Sequence, residues 1–500
     1  MAAKAFLAID MGASSGRHLA GLLDRGKLTL HEVHRFENGP VTVAGRMYWD
    51  VLGQWSHIQN GLRLAGREYG ASIASVGIDT WGVDFGLLGK GDELVGQSYN
   101  YRDARTQGMM QRAFGMVSRE EIFAETGLQF MEINTLYQLL AMNVTHSPLL
   151  QVAESLLLMP DLFHWMLTGV KANELTDAST TQLFNPRTQA WSSKLIEKFQ
   201  LPASIFGPIV QPGTSLGSLL PSVAAETQLG RGVHVVLPGT HDTASAVVAV
   251  PADGTGGSQP DWCYISSGTW SLMGVEVDQP VIDETCRRLN FTNEGGVQQT
   301  TRLLKNIAGL WLVQECRRIW DQQGQTYSWE ELVGMAEQAP PLLSVINPDD
   351  PTLVAPDNMP EQIAKLCRQS QQPVPADAGA MVRCALESLA LKYRQVLGWL
   401  EELTGGEIRT VHIVGGGTQN RLLCQMAADA CQRTVVAGPA EATAIGNVAV
   451  QAMAAGEVAS IAEARQLVRN SFPVEIYEPR NTQAWDDAQE RFTRLSPEPA

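Results

Sequence analysis

The sequence has no apolar run approaching the ~18 residues of a membrane span, so a simple transmembrane helix is not expected. It is also poor in positive charge. Lys and Arg number 37 against 53 Asp and Glu, for a net charge of −16. That balance argues against a nucleic-acid or anionic-membrane surface, because both need basic patches. It leaves room for a phosphate-bearing ligand held at one locally positive site. Cysteine is scarce and scattered, with seven residues and no C-x-x-C pair. The odd count and the spacing read as reduced thiols in a cytoplasmic protein, without a structural zinc site. No G-x-x-x-x-G-K-[ST] occurs, and the protein-kinase signature set is missing, so P-loop and protein-kinase chemistry are not expected. The opening run AFLAID lacks the cleavage pattern of a signal peptide and reads as a buried strand.

What the chain does contain is an alternation of strands and helices. Residues 6–10, 74–79, 234–239, 411–416 and 433–438 are short apolar runs ending in Gly or Asp, the pattern of buried strands. Val51, Trp55, Ile58, Leu62 and Ala65 mark one apolar helix face. Val382, Leu386, Leu389, Tyr393, Val396, Leu400 and Leu403 mark a longer one, which Gly405-Gly406 stops. This is the signature of an α/β chain with helices covering a largely parallel sheet. At 500 residues it is too long for one core. A Gly/Ser/Pro-rich loop at 251–260 marks the expected domain division, giving domains at 1–248 and 249–490. The tail after Leu495 is expected to be loosely held.

Two segments share one layout. FLAIDMGASSGRHLAGLL (6–23) and CYISSGTWSLMGVEV (263–277) each read as strand, small-residue turn and strand, with Gly12 matching Gly268 and Ser15 matching Ser271. The repeat suggests a duplicated domain plan. Turns of this composition leave backbone N–H groups open to an anion. The hydroxyls of Ser14, Ser15, Thr269 and Ser271 and the charge of Arg17 add to that. Asp10, at a strand end, suits Mg²⁺, which prefers oxygen ligands.

Three carboxylates compete for the role of proton acceptor. Asp242 follows an apolar strand in PGTHDTASAVVAV (238–250), at the start of an expected helix, where it would either cap the helix or orient a sugar hydroxyl toward a γ-phosphate. Asp79 and Asp84 lie in GIDTWGVDFGLL (77–88), where Trp81 is a candidate platform for the apolar face of a sugar. The strand, triple-Gly turn and helix at 411–431 let a ligand lie against backbone, although the turn is not G-x-G-x-x-G.

These runs, with YRDART (101–106), NTLYQL (134–139), TNEGG (292–296), LKNIAGLWLVQ (304–314) and AGPAEATAIGN (437–447), resemble the FGGY group of carbohydrate kinases, in the sugar-kinase/actin/Hsp70 superfamily. The similarity spans nearly the whole chain, and within the group GASSGR, TWGVDF and HDTASAV closely resemble the kinases of L-rhamnulose. The resemblance implies two actin-like (ribonuclease H-like) domains, each a mixed sheet flanked by helices, with the active site in the cleft between them. It implies ATP and Mg²⁺ as cofactors, a small sugar as the other ligand, and L-rhamnulose 1-phosphate and ADP as products. It further implies that Asp242 is the proton acceptor, and that Gly82, His241, Thr243 and Asn306 contact the ketose. Ala13, Ser14, Ser15, Gly16 and Arg17 would hold the ATP phosphates, Thr269 and Gln314 the nucleotide, and Gly416 the adenosine. Some relatives carry a cysteine pair where this chain has Ala427 and Cys431, so that disulfide is not expected here. A kinase for fuculose, xylulose or a polyol, and a non-catalytic sensor of sugar and ATP, are the alternative readings. Both a monomer and a homodimer remain open.

Overall fold

The computed structural model describes residues 4–230, 232–254 and 256–498. Two compact units are each assembled from three stretches of chain. The first comprises Met1–Thr255, Asp278–Leu303 and Ala442–Phe472; the second comprises Gly256–Val277, Leu304–Glu441 and Pro473–Ala500.

The first unit is built on a sheet of strands β1 (Lys4–Met11), β2 (Ser15–Asp24), β3 (Lys27–Glu37), β4 (Ile73–Thr80), β5 (Ser215–Ser218) and β6 (His234–Val236), in the order β5-β6-β4-β1-β2-β3. Strand β1 is antiparallel to β2 and parallel to β4, and β4 is parallel to β6. Every residue of β1 after Lys4 is buried, as its unbroken apolar run requires of a strand covered on both faces. The helix Val51–Tyr69 starts where the Asp50 carboxylate accepts the Gly53 N–H at 3.0 Å. Of its expected face, Val51, Ile58, Leu62 and Ala65 are buried, and Trp55 is half-buried. The helix Ala442–Ala454 returns late in sequence to pack on β1, β4 and the helix Asp242–Val248.

The second unit repeats this plan. Its strands are β7 (Trp262–Ser267), β8 (Trp270–Val277), β9 (Thr301–Ala308, entering the unit at Leu304), β10 (Thr410–Val414), β11 (Thr434–Ala437) and β12 (Glu475–Tyr477). They pair in the order β9-β8-β7-β10-β11-β12, the same succession as β3-β2-β1-β4-β6-β5. The hairpin β7–β8 is antiparallel, β7–β10 and β10–β11 are parallel, and β11–β12 is antiparallel. The duplication expected from two similar turns therefore extends to the whole sheet. The helix Ala378–Thr404 is capped by Asp377 and ends at Gly405, whose φ of 66° is the left-handed conformation that glycine adopts without steric cost. All its expected face residues are buried except Leu403, which is half-buried.

Two expectations change. Ser271 is not a ligand donor: it is fully buried, with its hydroxyl 2.7 Å from that of Tyr393. The tail is held further than Leu495, because Ser496 is buried and its carbonyl accepts from Gln395 Nε2 at 2.7 Å. The seven cysteines are buried and none is joined in a disulfide. Among the described residues, no helix is long and apolar enough to cross a membrane.

Candidate active site

Two neighbouring parallel strands of the first unit carry an acid near their C-terminal ends, and the loop after a third leads to another. Asp10 on β1 is the register partner of Asp79 on β4. The next residue of β4, Thr80, bridges to His241, so Asp242 begins its helix beside the same sheet edge. Ligands of open α/β sheets bind at this edge, outside the carboxyl ends of the strands. Asp242 is the first helical residue and His241 the cap residue, so Asp242 does not serve as the N-cap.

The three carboxylates differ in what surrounds them. Asp10 has a side chain only 7% exposed, and its Oδ2 accepts from Arg17 Nη2 at 2.7 Å. Asp79 is wholly buried. Burial, and then the negative charge of Asp10, push its carboxyl well above the usual range; Asp242 adds to the rise, while the Asn447 hydrogen bond and Arg17 oppose it. Its Oδ2 accepts from Asn447 Nδ2 at 2.6 Å, and its buried Oδ1 has no hydrogen-bond partner. Asp242 has a side chain 32% exposed, and its Oδ1 accepts from the Thr243 N–H at 2.5 Å and from its hydroxyl at 3.1 Å.

Asp84 is no rival to these. Its Oδ2 accepts from Trp49 Nε1 at 2.6 Å, Trp81 Nε1 at 3.1 Å and the Tyr101 N–H at 3.1 Å, and its Oδ1 accepts from Gln138 Nε2 at 2.8 Å. Burial raises it to about 6 against the pull of these donors. Trp81 likewise belongs to the core, stacked on Trp49 with centroids 3.9 Å apart, and it offers no platform for a sugar. The turn between these residues is strained, since Val83 is β-branched and sits at a φ of 69°. It is held there because its N–H donates to Thr180 Oγ1 at 3.1 Å and its carbonyl accepts from Thr135 Oγ1 at 2.7 Å. Gly82 faces the same threonine, which a Cβ would approach to 3.0 Å.

The loop presenting His241 and Asp242 is clamped by a carboxylate that sequence reasoning missed. Glu174 is fully buried, and its Oε2 accepts from the N–H and hydroxyl of Thr176 (3.0 and 2.5 Å) and of Thr240 (3.1 and 2.6 Å). The Thr176 hydroxyl in turn accepts the His241 N–H at 3.2 Å. Around the His241 ring lie two further missed residues, Glu294 and Arg302, whose side chains are 4% and 0% exposed. TNEGG contained Glu294, but nothing in its spacing pointed to the 241–242 loop. Burial favours a neutral Glu294, but the Arg302 charge together with His241 and Thr292 outweighs it, and the net shift is downward.

The first glycine-rich turn is pinned from beneath. The Gly12 N–H donates to the Ser15 carbonyl at 2.9 Å, and Asn38 Nδ2 donates to the Gly12 carbonyl at 2.7 Å. Ser14 is exposed and Ala13 and Ser15 are half-buried, whereas Gly16 is required by packing: a Cβ there would lie 2.1 Å from the Phe36 ring. In the second unit the Trp311 N–H donates to the Thr269 carbonyl at 3.1 Å, tying that turn to the start of the helix Trp311–Gln322, which carries Gln314. The triple-Gly turn crosses close to the end of β7, where a Cβ on Gly417 would meet Ser267 Oγ at 2.0 Å. Gly416 beside it is exposed, with open space above its backbone. Thr269, Gln314 and Gly416 are thus grouped in the second unit, with Asn306 on β9.

Family models cover both halves of this arrangement. Residues 5–249 match the N-terminal domain, and residues 263–455 the C-terminal domain, of the FGGY family of carbohydrate kinases. The chain is an FGGY carbohydrate kinase. It is 47% identical over 487 residues to a rhamnulokinase of Bacteroides thetaiotaomicron, covering 97% of this chain and 98% of that one. It is 41% identical over 471 residues to a rhamnulokinase of Oceanobacillus iheyensis, covering 94% and 97%. The fold of this FGGY kinase is also that of a gluconate kinase from Lactobacillus acidophilus, at a TM-score of 0.81 and 16% identity, over 99% of this chain and 97% of that one. A xylulose kinase from the same organism gives 0.80 and 17%, with the same coverage. The expected actin-like duplication and the kinase activity follow from this membership, including the use of ATP.

Proposed function

We propose that this FGGY kinase transfers the γ-phosphoryl group of ATP to the C1 hydroxyl of L-rhamnulose, giving L-rhamnulose 1-phosphate and ADP, with Asp242 as proton acceptor. The observation that supports this base is exposure: among Asp10, Asp79, Asp84 and Asp242, Asp242 alone presents an open carboxylate, at 32% against 7% for Asp10 and full burial for the other two. The substrate assignment rests on the rhamnulokinases at 41–47% identity over nearly the full length. We assign sugar and phosphate binding to residues 1–248, with Asn306 as one further sugar contact, and nucleotide binding to 249–490.

Each group then has a task. Asp242 Oδ1 is oriented by Thr243 and accepts the proton of the attacking hydroxyl. Because phosphoryl transfer passes through a loose transition state, a carboxylate of ordinary basicity suffices. Gly82, His241, Thr243 and Asn306 hold the sugar. Ala13, Ser14, Ser15, Gly16 and Arg17 face the phosphates, while Thr269, Gln314 and Gly416 hold the nucleotide. Asp10 is the proposed Mg²⁺ ligand, and the surroundings fit that ion. All the acidic atoms at the strand ends are oxygens, and the buried Asp79 Oδ1, without a hydrogen-bond partner, lies in a negative field that a cation would relieve. When bound, Mg²⁺ would neutralise charge on the phosphates.

The test is ADP release with Mg-ATP across L-rhamnulose, L-fuculose, D-xylulose, glycerol and buffer. Rapid release with L-rhamnulose and recovery of the 1-phosphate is the expected result. Preference for another sugar would reject the substrate, and no sugar-stimulated release from protein that binds ATP would reject the reaction.

A further inference from the structure

The ring of His241 has two nitrogens, and their neighbours decide which one carries the proton. Arg302 Nη2 lies 3.2 Å from Nδ1 in hydrogen-bonding geometry. A guanidinium only donates. Glu294 Oε2 lies 3.2 Å from Nδ1 and 3.1 Å from Arg302 Nη2, and it makes a hydrogen bond of good geometry to neither, so it acts on both through its charge. A proton on Nδ1 would therefore oppose an Arg302 N–H inside a wholly buried contact. The guanidinium is fixed from its other side too, since Arg302 Nε donates to the Gly295 carbonyl at 2.9 Å. The second ring nitrogen, Nε2, faces Asp242 Oδ1 at 3.5 Å.

We propose that Arg302 is a positioning residue for phosphoryl transfer: by donating to His241 Nδ1 it fixes the proton on Nε2, where the ring presents a hydrogen-bond donor beside Asp242. That donor is placed to hold a sugar hydroxyl oxygen next to the one Asp242 deprotonates. Glu294 keeps the guanidinium paired, so the buried charge is compensated while the ring itself stays an acceptor at Nδ1. Neither residue touches the carboxylate. Both act through the orientation and tautomer of His241. The role in catalysis rests on the reading of Asp242 as base, whereas the tautomer does not.

The two can therefore be separated. Two-bond ¹H–¹⁵N spectra of the full chain without ligands, with the His241 signals assigned by their loss in His241→Gln, report the tautomer directly. The expected pattern is a pyrrole-like Nε2 and a pyridine-like Nδ1. An Nδ1–H pattern, or a doubly protonated ring at pH 7, would overturn the proposal whatever the activity. Arg302→Met combined with Glu294→Gln removes the donor without stranding a charge. It should give mixed tautomers and raise KM for the sugar about tenfold, the equivalent of one hydrogen bond, with the affinity for ATP unchanged. An unaltered tautomer pattern and sugar KM in that variant would also overturn it. Should the variant fail to fold, the wild-type spectrum decides alone. Failure of the Asp242 reading would appear instead as turnover retained without Asp242, with the tautomer unaffected.

Discussion

Glu174 offers the clearest link from one buried side chain to the presentation of Asp242. Its Oε2 collects four donors, two from Thr176 and two from Thr240, while its Oε1 has no hydrogen-bond partner. Replacing it with Ala leaves all four donors in a dry interior. At roughly 1 kcal/mol each, the low end for an unsatisfied buried group, the loss is about 4 kcal/mol. Glu174→Gln behaves differently. The amide oxygen takes the place of Oε2 and keeps the four donors, and the new NH₂ occupies a position where no hydrogen bond is lost. Burial already pushes the Glu174 carboxyl upward, so removing its charge costs little. Glu174→Gln should therefore lose at most about 2 kcal/mol, the low-end cost of the two amide N–H groups it adds, half the loss expected for Ala. Urea unfolding monitored by near-ultraviolet circular dichroism measures both, and kcat on the sugar follows the loop. Glu174→Ala should lose stability and turnover together, while Glu174→Gln keeps most of each. Equal behaviour of the two variants, in either direction, would refute the clamp.

Gly446→Ala should damage the same region from the opposite side. A Cβ there would lie 1.7 Å from the Ser245 carbonyl oxygen, forcing the helix that begins at Asp242 to move, with a stability loss of about 3 kcal/mol and a lower kcat. A variant with parental stability and kcat would show that this helix contact is adaptable. Asp84 gives a pH-dependent prediction. Its folded value of about 6 lies above its usual 3.8, so the native state keeps a proton that the unfolded chain has lost. Its contribution to stability therefore falls as pH rises from about 4 to about 6, by about 3 kcal/mol for a shift of roughly two units. The stability of the parent relative to Asp84→Asn should decline across that window in urea titrations, and a constant or rising difference would contradict the assignment.

The fold was legible where local pattern and burial coincide. AFLAID and ASVGID became adjacent parallel strands in the first unit, and VHIVGG became a parallel neighbour of Trp262–Ser267 in the second, because unbroken apolar runs suit only strands covered on both faces. The matching hairpins foretold the repeated sheet, since each turn sits at the same step in the strand order. The return of Ala442–Phe472 to the first unit was not legible, because that packing depends on the close approach of Gly446 to Ser245, which no periodicity encodes. In the site, Asp10 and Asp242 were visible as acids at strand ends. Without the family resemblance, which pointed to Asp242, the residue pattern could not rank Asp79, Asp84 and Asp242, which are told apart by burial and by donors as distant in the chain as Gln138 and Asn447. Trp81 misled because its partner, Trp49, belongs to another segment. Glu174, Glu294 and Arg302 were missed because each acts on residues 240–242 only through the tertiary fold.

The most direct test of the account is the turnover of Asp242→Asn on L-rhamnulose, measured beside its ATP affinity. The side chain is partly exposed, so the fold should survive the change. A fall in kcat of about a hundredfold to ten-thousandfold, the usual worth of a positioned base, with ATP binding intact, is the predicted result. Turnover near that of the parent would contradict the account and return the role to another acid at the strand ends.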